Sequence, residues 1–201
     1  MNDTQADSGR RSVRSVVKKM RESPIKNTDI SPLRKDEETV MVNLIRRNLD
    51  AFEEAGSVLA SAFRRIEKLY DTYNQEGSVY LVVRDTNSGA SVGGAGLGPL
   101  AGLSVTEGIG EIRELVLEPT YRRRGIGALI LRNCLEKARD LGYRRIYLET
   151  TPQMETAQKL FQRFGFRPVT GRGGKAPTKH GPAGLPCYFM LENLLEAVAD
   201  A

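Results

Sequence analysis

The stretch ELVLEPTYRRRGIGALIL, Glu114 to Leu131, constrains this chain more than any other. GEIRELVLEP (Gly110–Pro119) reads as a central strand stopped by proline. After Gly125 and Gly127 comes a helix with Ile126, Leu129, Ile130, Cys134, Leu135, Ala138 and Leu141 on one face, ended by Gly142. A strand, a glycine turn and a helix in that order make an anion site. The first turn of a helix has backbone N–H groups without partners, and the helix dipole adds positive charge there. Glycines at 125 and 127 let an anion approach the main chain, and Arg122, Arg123 and Arg124 add mobile charge. The stretch therefore reads as a pyrophosphate site, with a solvated charge run beside a glycine turn as its alternative. It is not a Walker loop, because the lysine and its spacing are absent. It is not a dinucleotide fingerprint either, because Ile130 stands at the third glycine position.

The elements around it alternate as in an α/β domain. ISPLR from Ile30 reads as a strand, and Asp36 as the cap of a helix with Val40, Leu44, Ile45, Leu49 and Phe52 inward. A second helix is expected from about Ser57 to Asn74. SVYLVVRD (Ser78–Asp85), the turn TNSG and VGGAGLGPL (Val92–Leu100) follow, the glycines of the last strand marking bulges or close backbone approach. RRIYLETT (Arg144–Thr151) is a strand, METAQKLFQRFGF (Met154–Phe166) begins as a helix, residues 170–186 form a Gly/Pro-rich loop, and CYFMLENL (Cys187–Leu194) closes the domain as a strand.

Residues 1–35 hold nine basic and four acidic residues; the other 166 hold 21 of each. The excess charge lies in the tail, which argues against a nucleic-acid partner for the body. In residues 1–28, Val13, Val16, Val17 and Met20 at helical spacing among Arg14, Lys18, Lys19 and Arg21 could form one short basic amphipathic helix in an otherwise disordered segment. No stretch is apolar enough to span a membrane, and no signal peptide is evident. Cys134, Cys187 and the single His180 give no metal spacing, so no metal is expected, and reduced thiols suit a cytoplasmic setting.

Two motifs in order give a family resemblance over roughly residues 29–195. Arg122, Gly125 and Gly127 meet [Arg/Gln]-x-x-Gly-x-[Gly/Ala]; Ala157, Leu160, Phe161, Gly165 and Phe166 meet Ala-x-x-Leu-[Tyr/Phe]-x-x-x-Gly-Phe. The chain resembles the GNAT superfamily of acyl-CoA-dependent N-acyltransferases, and within it small bacterial acetyltransferases of unassigned substrate. The resemblance implies an α/β GNAT fold: a mixed, mostly antiparallel twisted sheet, splayed at the cofactor strand, with helices on both faces. It implies acetyl-CoA as cosubstrate, its pantetheine arm on the main chain of Leu115, Val116 and Leu117. One N–H there would polarise the thioester carbonyl. Arg122 and the main chain of Arg123, Arg124, Gly125, Ile126, Gly127 and Ala128 would hold the pyrophosphate.

The acceptor amine must be neutral to attack, so a base is expected. By position this is Glu111, sharing a strand face with Arg113 and Leu115 and opposite Glu114, with Glu149 as its rival. Each could instead be a structural partner of an arginine. Many relatives protonate the leaving thiolate with a tyrosine where this chain has Phe161, so Tyr188 becomes the candidate acid. Met154 stands where relatives often carry a cofactor-contacting asparagine. His180, in the loop expected to form part of the acceptor site, could titrate near neutrality. The implied function is acetyl transfer to a primary amine of a small molecule or amino-acid-like acceptor. Alternatives are a protein acetyltransferase that uses the basic tail for recruitment, or an idle acetyl-CoA sensor that binds a partner. A homodimer is left open.

Overall fold

In a computed structural model of the chain, residues 27–50, 62–101, 103–169 and 187–199 are described. The basic segment around Val13–Met20, the start of the second expected helix, Phe52 and His180 lie outside them. β1 (Thr28–Pro32), β2 (Val79–Asp85), β3 (Ser91–Pro99), β4 (Ile109–Leu117), β5 (Arg145–Thr150), β6 (Arg167–Val169) and β7 (Cys187–Leu191) form one sheet in the order β1-β2-β3-β4-β5-β7-β6. Only β4 and β5 run parallel. A parallel pair needs a crossover, and the helix opened by the glycines supplies it.

That helix, here α3 (Ile126–Asp140), and α4 (Glu155–Arg163) cover one face of the sheet; α1 (Glu38–Asp50) and α2 (Leu69–Tyr73) cover the other. On the first face Leu97, Ile112, Leu148 and Phe189 pack against Ile126, Ile130, Leu131 and Cys134. On the second, Tyr80, Val82 and Val116 meet Met41, Leu44 and Ile45. Each fully buried aliphatic side chain contributes about 1.5–3 kcal/mol. Gly142 ends α3 at φ 84, where Tyr143 N–H reaches Ala138 O at 2.9 Å.

Several local expectations are corrected. Asp36 does not cap α1: it lies within a 3-10 turn, Lys35–Glu37, and Glu37 accepts from the Arg34 N–H at 2.9 Å. Val40 is 52% exposed, and Met41 takes the inward place instead. The second helix is broken at residues 67–68, between helical residues 62–66 and α2. β6 was not expected: Arg167–Val169 pairs with β7 as the sheet edge, where Pro168 is tolerated. The last strand stops at Leu191, and α5 (Leu194–Ala199) follows, with Leu194 buried and Ala197 packed on the α3 core.

The sheet opens between β4 and β5. Their pairing runs from Ile109↔Arg145 to Ile112↔Leu148 and ends there. β4 continues along β3 to Leu117, while Glu149 and Thr150 of β5 stay paired with Tyr188 and Cys187 of β7. The splay expected from the family resemblance is thus present, beside Leu115–Leu117.

Candidate active site

A bulge shapes the open edge of β4. Gly94 pairs with Val116 and Gly96 with Arg113, so Ala95 opposes both Glu114 and Leu115. Glu114 has φ 45, a left-handed conformation that costs a non-glycine residue about 1–3 kcal/mol. The bulge resets the strand's alternation. Glu111 and Arg113 share a face, as expected, with Arg113 Nη2 2.7 Å from Glu111 Oε2. Glu114 is not opposite them: it turns to the same side and meets Tyr73 and Arg65 from the α2 side. Leu115, expected beside Glu111, packs instead with Ile112 and Leu117 on the α3 face.

Glu118 N–H donates to Val92 O at 2.9 Å. By the alternation of an antiparallel ladder, Val116 also turns its main chain to β3, while Leu117 and Leu115 turn theirs toward the gap. The Leu117 carbonyl accepts from Arg122 Nε at 3.2 Å.

The glycine turn adjoins this gap. Gly125, at φ 83, is the N-cap residue of α3, and no side chain caps it. Arg122, Arg123, Arg124 and Gly125 are exposed. A Cβ at Gly127 would meet Leu160 at 3.6 Å and Leu117 at 3.8 Å, ordinary contacts. Packing within the chain therefore does not demand glycine at 127, and the first turn of α3 borders Leu117. A diphosphate suits such a turn, with exposed amides and neighbouring arginines. The arginines are not equally mobile. Arg122 is tied to Leu117 O and, at 2.6 Å, to Asn48 Oδ1 of α1, and Arg124 lies 5.3 Å from the centre of the Tyr121 ring.

On the face away from α3, register brings the three expected catalytic residues together. Glu111 pairs with Tyr147, and Glu149 with Tyr188. The Tyr147 and Tyr188 rings stack at 6.1 Å, and Tyr147 Oη donates to Glu149 Oε1 at 2.8 Å. Burial pushes the Tyr147 phenol well above its ordinary range, and the charge of Glu149 and the bond to it push further. Tyr147 therefore stays a donor near neutral pH. Glu111 is 3% exposed and also accepts from the Ala101 N–H at 3.4 Å. Glu149 is half-buried and stands just past the last β4–β5 pair, at the mouth of the gap.

Other candidates lie apart. Phe161 is buried on the opposite face against Phe166 and Phe189. Met154 precedes α4, and its Sδ accepts from Thr150 Oγ1 at 3.3 Å. Cys134 and Cys187 are both free thiols; burial raises Cys134 to about 12 and Cys187 above its ordinary value. No group of three or more His, Cys, Asp or Glu side chains among the described residues could hold a metal. No helix among them is long and apolar enough to cross a membrane.

Sequence reading missed Tyr147, Glu114, Arg65 and Tyr73. Tyr147 had a signal, since it alternates with the expected Glu149 in RRIYLETT. Glu114 had none that favoured this face, because period-2 counting assigned it to the other.

A family model described as "Acetyltransferase (GNAT) family" matches residues 45–166. The uncharacterized N-acetyltransferase YjgM of Escherichia coli is 34% identical over 104 residues, 52% of this chain and 60% of the relative's length. The yncA protein from Salmonella typhimurium, solved with its cofactor acetyl-CoA, aligns with TM-score 0.61 and 17% identity over 83% of this chain and 94% of its own. A spermidine N-acetyltransferase from Vibrio cholerae, in complex with CoA and spermine, aligns with TM-score 0.57 and 14% identity over 85% and 98%. At these identities the structural likeness speaks to fold.

Proposed function

The chain belongs to the GNAT acetyltransferase family, and from that premise we propose that it transfers the acetyl group of acetyl-CoA to the primary amine of a small molecule or amino-acid-like acceptor. One observation carries the reading: the uncapped first turn of α3 borders, through Gly127 and Leu117, the gap where β4 and β5 part. A long thiol cofactor with a diphosphate at one end could lie along both. Acetyl-CoA binding by the Salmonella neighbour and spermine binding by the Vibrio neighbour support the choice of donor and of acceptor class.

In this reading the transferase domain runs from residue 29 through α5 rather than stopping at 195, because Ala197 packs on the α3 core, and 1–28 is a flanking tail. The main chain of Arg123–Ala128 holds the diphosphate, with Arg122 fixing the turn to β4. Along the edge Leu115–Leu117, the main-chain groups of Leu115 and Leu117 hold the pantetheine arm while those of Val116 stay turned to β3, and the Leu115 N–H polarises the acetyl carbonyl. Acetyl-CoA supplies the thioester.

Glu149, at the gap and less buried than Glu111, takes a proton from the acceptor ammonium, directly or through water. Once Glu149 has passed that proton to solvent, the neutral nitrogen attacks the carbonyl carbon, the carbon–sulfur bond breaks, and the second proton that the nitrogen sheds to become an amide goes to Glu149 in turn. Tyr188 gives its phenolic proton to the departing sulfur and recovers one from solvent. Glu111, paired to Arg113, sets the charge beneath Tyr147. Phe161 takes no part, since its ring is buried on the other face.

Incubating the purified protein with acetyl-CoA and a panel of amines, and following free thiol, tests the proposal. Amine-dependent thiol release is the expected result. Acetyl-CoA binding without release by any amine would favour a sensor. Loss of the rate on deleting residues 1–26 would favour a protein substrate recruited by the tail.

A further inference from the structure

The kink in β4 is gripped from three directions. Arg65 Nε donates to Glu114 Oε1 at 2.7 Å, and the Tyr73 hydroxyl donates to Oε2. The Tyr80 hydroxyl donates to the Glu114 carbonyl at 3.2 Å. The Glu114 side chain is 1% exposed. Tyr73 reaches it by crossing β3 at Gly96, where any Cβ would clash with the Tyr73 ring. Tyr73 and Tyr80 pack edge to face at 5.3 Å. Burial first, and then the Glu114 charge, hold both phenols protonated.

Glycine is the residue favoured at a left-handed bulge position. Here a glutamate occupies it, and its side chain is held by two elements outside the strand. A residue held against its own backbone preference, next to the edge that opens the sheet, marks a constraint worth keeping.

The geometry points to Glu114, clamped by Arg65 and Tyr73, as a positioning residue that holds β4 in the bulged form and so aims the Leu115 main chain into the β4–β5 gap. This rests on the acetyl-CoA reading above and adds to it the side chains that prepare the binding edge. Arg65 and Tyr73 belong to the helical layer on the face of Glu149 and Tyr188, so movement of that layer would reach the cofactor edge through Glu114. Glu114 itself is too enclosed to serve as the base: both carboxylate oxygens accept from fixed donors.

The test compares Glu114→Ala, Glu114→Gly and Tyr73→Phe in the full chain. Acetyl-CoA affinity is read by calorimetry, and hydrogen exchange over residues 113–117 in the free protein. Glu114→Ala, which has no anchor and keeps the backbone penalty, should bind acetyl-CoA at least tenfold more weakly and exchange at least tenfold faster. Glu114→Gly, which lacks the anchor but accepts the left-handed conformation, should return to within about threefold of the parent affinity. Tyr73→Phe keeps the ring packing and guards against misfolding of the other two; it should show the faster exchange with a smaller loss of affinity. Equal affinities for the alanine and glycine variants, or unchanged exchange in Tyr73→Phe, overturn the inference. A parent protein that fails to bind acetyl-CoA at all overturns the transferase reading instead, and the exchange data still judge the clamp.

Discussion

Glu149 and Tyr188 stand directly opposite each other on β5 and β7, on the sheet face turned away from α3. Tyr147 bridges them: its hydroxyl donates to Glu149 and its ring stacks on Tyr188. This places a candidate proton acceptor and a candidate donor side by side where β5 parts from β4.

Glu149→Gln should lower kcat by roughly 10²–10⁴-fold, the usual range for a general base. Acetyl-CoA affinity should stay within about threefold of the parent, because the change lies off the binding edge. Glu111→Gln keeps the shape but leaves Arg113 with a weaker partner, so the melting temperature should fall more than the rate does. Steady-state kinetics across pH, beside thermal melts, separate the two carboxylates. A larger rate loss in Glu111→Gln than in Glu149→Gln would transfer the base role to Glu111.

Phe161→Tyr restores the phenol many relatives carry, but puts it among Phe166 and Phe189. A buried hydroxyl without a partner costs about 1–3 kcal/mol. The variant should therefore be less stable and no faster. Tyr188→Phe should slow turnover while leaving acetyl-CoA binding intact. A faster Phe161→Tyr enzyme would move the acid role from β7 to α4.

Gly125 and Gly127 should respond differently to alanine. Gly125 has φ 83, so Ala there strains the turn by about 1–2 kcal/mol and should weaken acetyl-CoA binding by tenfold or more in calorimetry. A methyl at Gly127 meets only ordinary contacts, and Ala in a helix is favoured over Gly by about 0.5–1 kcal/mol. Gly127→Ala should bind normally and melt at a slightly higher temperature. Normal affinity in Gly125→Ala would count against placing the diphosphate at this turn.

Away from the site, Glu37 and Arg84 form a buried pair with two contacts of 2.6 Å between α1's approach and β2. Burial pushes the Glu37 carboxyl up, but bonds from Arg84, the Arg34 N–H and Ser91 outweigh it and hold the group below its ordinary 4.5. A lowered carboxyl stabilises the fold above its unfolded value, and that contribution is lost as pH falls through the folded value. Melting temperature should therefore drop as acid is added below about pH 4.5. Glu37→Gln weakens the bonds to Arg84 while Ser31 and the Pro32 carbonyl still accept from it, so it should lose about 1–3 kcal/mol and show a shallower acid dependence in denaturant titrations at several pH values.

The glycine turn and its helix were legible because their signal is local: Pro119, Gly125 and Gly142 punctuate a run whose apolar face follows helical spacing. β6 was not legible, since Arg167–Val169 is short, carries a proline, and becomes a strand only by pairing with β7. Val40 shows the limit of a stripe drawn without a partner surface, since the adjacent Met41 fits the β2–β4 core better.

Residues 118–142 set by themselves where a helix starts, how its first amides are exposed, and what charge surrounds them, because those properties depend on neighbours within a few positions. Tertiary structure alone decided where β4 breaks step. A strand's alternation is fixed by its own backbone only while the ladder is regular, and the bulge at Glu114 depends on Tyr73, Arg65 and Gly96, far away in the chain. That bulge put Glu114 beside Arg113 and moved Leu115 to the other face, which no count along β4 could have shown.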